Sequence, residues 1–526
     1  MDRRAFLLSS AAAAILVPGW PSQVRAQDIA QPAPAGEPFS FDVLTERMRA
    51  RAGEPYQATP PQLPEVIANL GYDEHRSIAF RKDRAVWKGQ SPFEINAFHM
   101  GWLFKEPVFL YSVQGGTARP MVFTAEDYEY RPPLDAARFQ GVEMPGVAGF
   151  RLMYALNRPG VMDELVTFLG SSYFRALGRD TSYGLSARGL AVNTATQEGE
   201  EFPRFDSFYV EMPSPDAGRV TLWATLDSRS VTGAYQFVIT PGKATQMEVT
   251  ARLFLRENIS RLGIAPLTSM FLFAENNRSR FHDYRNAVHD SDGLKIIRRN
   301  GEEVWRSLNN PARLATSFFG EENPKGFGLF QRDRAFENYQ DAGAHYERRP
   351  SLLVEPMDDW GKGNITLIEI PTELEVNDNI VAFWVPEGDM TAGKALEYRY
   401  RLSWGALADD DANLARAIAV RGGHGGVSGS RNDDGLHKFV VDFDGGPLAR
   451  LAADGAEIES TVKANNAEIR ETTLSRIEAN GHWRLVIDIQ NPGEIPVELS
   501  AYLSQAGTRM SEIWLYQWRP DDDRAS

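Results

Sequence analysis

Cysteine is absent from the 526 residues. That excludes disulfides, thiolate metal sites and a cysteine nucleophile. It assigns no compartment, because export does not require disulfides. Histidine is scarce, 8 in all. The eight are scattered without an H-x-x-x-H pair, so a zinc protease is not expected. No G-x-S-x-G elbow and no P-loop Lys-Ser/Thr occurs. Nothing in the chain calls for a metal or other cofactor. Positive charge is in deficit: Lys and Arg number 56 against 71 Asp and Glu, net −15. Phosphate binding needs a basic face, so no nucleic-acid partner is expected. Past the first 26 residues there is no apolar run of transmembrane length, about 20 residues.

Ordinary globular material is present. Hydrophobic residues make up 43% and charged residues 24%, and the length allows more than one domain. Aromatics are plentiful, 29 Phe, 17 Tyr and 11 Trp. Their faces fill cores and also stack on sugar rings.

Residues 1–26 read as an address. Arg3-Arg4-Ala5-Phe6-Leu7 is a twin-arginine pattern, Ala5 to Val17 is apolar or small, and Val24-Arg25-Ala26 is a signal-peptidase site. Cleavage there removes three Arg and one Asp, leaving a mature net charge of −17. Export by the twin-arginine route places the protein in the periplasm. Arg3→Lys combined with Arg4→Lys is expected to leave the precursor in the cytoplasm, read by cell fractionation; undiminished periplasmic protein would refute the leader.

Residues 27–38 are rich in Pro, Ala and Gln. Phe41 to Arg51 reads as an amphipathic helix with Ser40 as N-cap, and Leu63 to Leu70 as another. Strand patterns then dominate: Val108–Val113, Val220–Ala224, Ala234–Ile239 and Val249–Leu255. One further helix is expected near Asp163 to Leu169. Gly and Pro punctuate at short spacing, the mark of a large β-sandwich over 27–404. Leu396–Leu402 alternates as a half-buried strand. The pattern lapses over 405–416, read as a linker around Asp409-Asp410-Asp411. Strands resume at Phe439–Phe443, Trp483–Ile489, Val497–Leu503 and Ile513–Tyr516, so 417–526 reads as an immunoglobulin-like sandwich.

Few motifs carry chemistry alone. Arg421-Gly422-Gly423-His424-Gly425-Gly426 reads as a flexible loop. His289-Asp290-Ser291-Asp292-Gly293 lacks the late Glu of a calcium loop. It is a loop closed by Asx turns, or Asp290 is one member of a carboxylate pair. Asp378 lies between Asn377 and Asn379 at the mouth of the apolar run Ile380–Trp384. Partial desolvation there suits a proton donor; the other reading is an Asx turn. A pair of carboxyls is what glycoside hydrolysis needs, but the chain offers many.

Long segments narrow the choice. Gly170-Ser171-Ser172-Tyr173-Phe174-Arg175, Tyr183 to Ala191, Gly199 to Phe205 and Ala265 to Phe273 resemble the periplasmic glucan biosynthesis proteins, the OpgG/OpgD (MdoG/MdoD) family. So do His289 to Leu294, Leu308-Asn309-Asn310-Pro311, Gly326 to Leu329, Trp360 to Gly363 and Asn377 to Trp384. The leader resembles the OpgD branch more than OpgG. The resemblance weakens after Gly405.

It implies a mainly β protein: an N-terminal sandwich of the carbohydrate-enzyme supersandwich type and a C-terminal immunoglobulin-like domain. It implies action on osmoregulated periplasmic glucans, whose backbone is β-1,2-linked glucose, as an inverting endo-β-1,2-glucanase. The general acid falls on Asp378, acting through a substrate hydroxyl. Its partner, reaching the attacking water through a relay, falls on Asp290. Glu375, Tyr346 and Arg349 match positions near that network. Trp305, Trp360 and Trp384 are candidates to stack on sugar. Two rivals stand beside hydrolysis: transglycosylation in the same cleft, and a non-catalytic glucan-binding scaffold partnering the inner-membrane glucan synthase. Oligomeric state, including a homodimer, is left open.

Overall fold

The computed structural model describes residues 36–58, 63–407, 413–426, 435–451, 457–490 and 493–520. The leader expected over residues 1–26 lies outside them. The chain enters through the Phe41–Ala52 helix, capped where Ser40 Oγ accepts from the Val43 N–H at 3.2 Å. Such a cap is worth about 1 kcal/mol. Leu44 and Met48, one turn apart, are fully buried against the Val231–Thr240 and Ala244–Leu255 strands. The second expected helix shrinks to Glu65–Ala68.

The architecture is mainly β. One sheet runs through Phe109–Gln114, Arg204–Glu211, Val220–Asp227, Val231–Thr240, Ala244–Leu255 and Ala395–Gly405, and on to Glu303–Ser307. A second, 10-stranded sheet includes Lys362–Glu369, Ile380–Pro386, Leu262–Ser269, Tyr173–Ala176 and Val161–Leu169. Alternate residues of both sheets meet in one continuous apolar core, among them Phe168, Phe237, Leu267 and Trp404. That alternation is the period-2 burial of a sandwich.

Two sequence expectations fail. Asp163 to Leu169 is not a helix but part of the Val161–Leu169 strand, paired to Gly149–Arg158 and to Tyr173–Ala176. Leu165, Phe168 and Leu169 fall at helical spacing, yet partners on both sides override that local pattern. Arg421 to His424 is no loop either. It continues the Arg416–His424 strand, with Gly422 opposite Phe439. A Cβ at Gly422 would lie 3.1 Å from Asn276 O, so this glycine permits close packing.

Beyond Arg416 a four-stranded sheet, Arg416–His424, Leu436–Asp444, Trp483–Gln490 and Glu468–Arg476, faces the strands Ile513–Trp518, Val497–Gln505 and Glu459–Asn465. Together they form the smaller, immunoglobulin-like sandwich, with its own core around Phe439, Ile487 and Trp514. It is not independent of the first. Ile513–Trp518 pairs in parallel with Glu303–Ser307, joining the two sheets edge to edge. Trp305 and Phe330 of the large sandwich belong to the smaller core. Limited proteolysis is expected to nick Gly405 to Arg416 first, with the two pieces still co-eluting on gel filtration because of this shared ladder. First cuts elsewhere would refute that boundary.

Candidate active site

Asp378 sits on the loop between the Lys362–Glu369 and Ile380–Pro386 strands. Its neighbours do the structural work. Asn379, 1% exposed, accepts from the Phe271 N–H at 2.8 Å and donates to Phe271 O at 2.9 Å and Ile370 O at 3.1 Å. Asn310 accepts from the Thr372 N–H at 3.0 Å and donates to Thr372 O and Leu272 O at 2.8 and 3.0 Å. Among the described residues the Asp378 carboxylate accepts no backbone hydrogen bond. It faces Arg175 instead, Oδ2 lying 3.7 Å from Nη2, with the carboxylate side chain 16% exposed. An Asx turn at Asp378 is therefore not what the loop uses.

Asp290 follows the two-residue strand Val288–His289, which pairs with Phe271–Phe273. Its N–H donates to Met270 O at 2.8 Å, and Ser269 Oγ donates to Ser291 Oγ at 2.9 Å. One short strand, Phe271–Phe273, thus anchors both carboxylate loops. Asp290 Oδ1 lies 3.5 Å from Arg349 Nε, an ion pair too long for a hydrogen bond. Among the described residues that buried oxygen accepts no hydrogen bond. Burial pushes the Asp290 carboxyl up, Arg349 opposes it, and Asp378 adds to it. Arg175 shows the converse: burial pulls it down, while Asp378 and Asp290 hold its charge.

Arg349 donates to Tyr183 O, and to Ala344 O at 3.0 Å, and its guanidinium lies 5.1 Å from the Tyr346 ring centroid. Tyr346 is buried, and burial followed by Asp290 raises its phenol well above the usual value. Glu375 is 41% exposed and pairs with Arg285 at 2.7 Å. Arg285 also binds Asp283 at 2.8 Å and Asp341 at 2.9 Å. The structure therefore gathers Asp378, Asp290 and Arg349 around Arg175, sets Tyr346 beside Asp290 and Arg349, and leaves Glu375 partly exposed on Arg285.

The three tryptophans are elsewhere. Trp384 is 0% exposed, and Trp360 is buried beside it, its ring edge-on to Tyr398 and Tyr400 at 5.5 and 5.9 Å. Trp305 is capped by the Arg332 guanidinium at 3.4 Å. A Cβ at Gly293 would sit 2.0 Å from its indole. All three are core residues with covered faces, so the expectation that they stack on sugar is corrected.

The open aromatic surface lies on the other side of Asp378. A cavity of about 450 Å³ is lined by Asp378, Arg175, Tyr173, Trp102 and Phe104. Trp102 sits at φ 53 in a turn closed by two 2.9 Å bonds between Gly101 and Phe104. A bulky residue rarely adopts that backbone. Its ring is held edge-on by Tyr72 at 5.0 Å. Arg188 covers the Tyr173 ring at 4.6 Å, and burial pushes the Tyr173 phenol up to about 12. Sequence reasoning missed Arg175, Arg285 and Trp102. Tyr173 and Arg175 lie within the Gly170–Arg175 segment, where alternation along a strand puts both on the Asp378 side; for Trp102 no sequence signal existed.

Residues 39–518 match the family model described as periplasmic glucan biosynthesis protein, MdoG. The chain is 54% identical over 489 residues to the glucans biosynthesis protein G of Cereibacter sphaeroides, spanning 93% of this chain and 90% of that one. It is 43% identical to the protein G of Ralstonia nicotianae, covering 92% and 96% of the two chains. It is 40% identical to a probable glucans biosynthesis protein D of Shewanella oneidensis, covering 93% and 90%. Among solved structures a polysaccharide lyase matches at a TM-score of 0.22 and 11% identity, over 71% of this chain and 44% of that one.

Proposed function

Since the chain belongs to the MdoG family of periplasmic glucan biosynthesis proteins, we propose that it is an inverting endo-β-1,2-glucanase, exported by the twin-arginine route, that trims the glucan backbone. The observation that carries this reading is the pairing of two carboxylates with different surroundings about Arg175. Asp378 opens onto a large aromatic-walled cavity. Asp290 is buried, and among the described residues one of its oxygens accepts no hydrogen bond. Hydrolysis by inversion needs one carboxyl to give a proton and another to take one. In this assignment Asp378 protonates the leaving glycosidic oxygen through a substrate hydroxyl. The C1–O bond breaks, water oxygen bonds to C1 from the opposite face, and the water's proton passes to Asp290 through a relay. Burial raises the Asp290 carboxyl and Arg349 opposes that rise, with the Tyr346 ring 5.1 Å from the Arg349 guanidinium. The Trp102 face suits a glucose ring.

The test is incubation of the purified protein with linear β-1,2-glucan, followed by chromatography and early-time NMR. Short oligomers with new α-anomeric ends support the proposal. Longer or cyclic products favour transfer to a sugar hydroxyl, and unchanged polymer removes the enzyme reading.

The electrostatics give a pH prediction. Asp290 must be ionised to take a proton, so the rate falls as pH drops through its pKa. Burial raises that pKa and Arg349 lowers it. Arg349→Met is therefore expected to move the acid limb of kcat to higher pH. An unmoved or lowered limb in the variant would exclude Asp290 as the proton acceptor.

A further inference from the structure

The segment Gln331-Arg332-Asp333 reaches in two directions. Toward the Asp290 loop, the Arg332 N–H donates to both Asp292 carboxylate oxygens at 3.1 and 3.0 Å, and the Asp333 N–H to one of them at 3.0 Å. Gln331, 2% exposed, donates to His289 O and Tyr346 O, both at 3.0 Å. Its Oε1 lies 2.8 Å from His289 Nδ1. One carboxamide thus joins the residue before Asp290 to the turn that precedes Arg349.

The Arg332 side chain points the other way. It binds Glu512 through two hydrogen bonds, 2.6 and 2.8 Å, and donates to Ala417 O at 3.1 Å. Glu512 is 0% exposed and also accepts from the Ala417 N–H at 2.9 Å. Both Ala417 and Glu512 belong to the smaller sandwich. Between it and the Asp290 loop lies a cavity of about 50 Å³ lined by His289, Asp292, Arg332 and Val420. The Arg332 guanidinium also stacks on Trp305 at 3.4 Å, so stacking and hydrogen bonds together hold the segment between the two.

We propose that the C-terminal sandwich is part of the apparatus that positions Asp290, and that residues 331–333 are the clip joining the two. The catalytic consequence rests on the hydrolase reading above. Gln331, Arg332 and Glu512 are positioning residues: they touch no substrate and act through the backbone on either side of Asp290. A loop displaced by about 1 Å can cost about a hundredfold in rate.

The test compares three variants of the full chain. Glu512→Gln keeps the shape and removes the charge that holds Arg332. Gln331→Met keeps the volume and removes three hydrogen bonds while leaving the interface charges in place, so it reports even where Glu512→Gln lowers the melting temperature. Ser307→Ala removes the 3.1 Å bond from Trp514 Nε1, an interface contact outside the clip. Hydrogen exchange is followed in peptides covering 288–293 and 344–350, together with kcat and KM on linear β-1,2-glucan. The expected result for the first two variants is protection lowered about tenfold in those peptides alone. Their kcat falls about tenfold with KM within about twofold. Ser307→Ala changes neither. Wild-type protection in both peptides, protection lost uniformly along the chain, or local opening with unchanged kcat each overturns the proposal. If the wild type cleaves no glucan, exchange still decides whether the clip holds the loop, and the hydrolase reading falls separately.

Discussion

Asp378→Asn is expected to slow cleavage of linear β-1,2-glucan by about 10²–10⁴-fold while leaving the fold and glucan binding intact. The asparagine has nearly the same volume and still hydrogen-bonds, but it has no carboxyl proton to give. No backbone bond is lost among the described residues, because Asn379 and Asn310 hold the loop and the Asp378 carboxylate pairs with Arg175 at 3.7 Å. Arg175 keeps Asp290 as a second source of negative potential, so its own position survives. The measurements are initial rate, circular dichroism and binding of glucan. A folded, binding variant retaining more than about a tenth of the wild-type rate would remove Asp378 as the acid, since even the weak end of the range is a hundredfold.

Arg306→Met is expected to destabilise the protein by about 3–5 kcal/mol at neutral pH. Arg306 and Glu369 are 1% and 2% exposed and pair at 2.9 Å. Glu369 also accepts from the Asn309 N–H at 2.7 Å. Met fills the space but leaves a carboxylate buried with one main-chain donor for company. The pH dependence has a definite sign. Burial already raises the Glu369 carboxyl, and Arg306 opposes that; without Arg306 it rises further. A raised folded pKa means stability is kept at low pH and lost as pH rises through that value. The deficit against wild type therefore shrinks on acidification. Denaturant melts of both proteins across pH check it. A deficit under about 1 kcal/mol, or one that grows toward acid, would show that the pair is not the buried ionic contact described.

Much of the fold is legible in the sequence because period-2 alternation survives where one face of a strand is buried, as in Ala244–Leu255 and Ala395–Gly405. It fails at Asp163 to Leu169, where four consecutive buried residues hide the period and two flanking strands decide the outcome. The position of Asp378 is legible, since an apolar β-branched run announces a strand and a polar triplet announces its mouth. The arginines around it are not. Arg175, Arg349 and Arg285 come from separate stretches of chain, and no local spacing records that they converge. The tryptophans mislead for a related reason: composition says that aromatic faces are plentiful, but only the packed sheets say which are covered. Trp384 lies inside a core, while Trp102, in a turn that no sequence pattern announces, faces the cavity.

The parallel ladder that joins the two sheets also sets a timetable. Its last strand contains Trp514, which bonds a residue 207 positions earlier. At about 5–20 residues per second, synthesis leaves the Glu303–Ser307 edge without its partner for roughly 10–40 s. An uncovered edge of that kind pairs readily with another chain. During the wait Arg332 has emerged and Glu512 does not yet exist. A growing chain therefore carries a sticky flank and an unfinished clip until its final residues leave the ribosome. Premature termination near the end is costlier for this protein than the small number of residues lost would indicate.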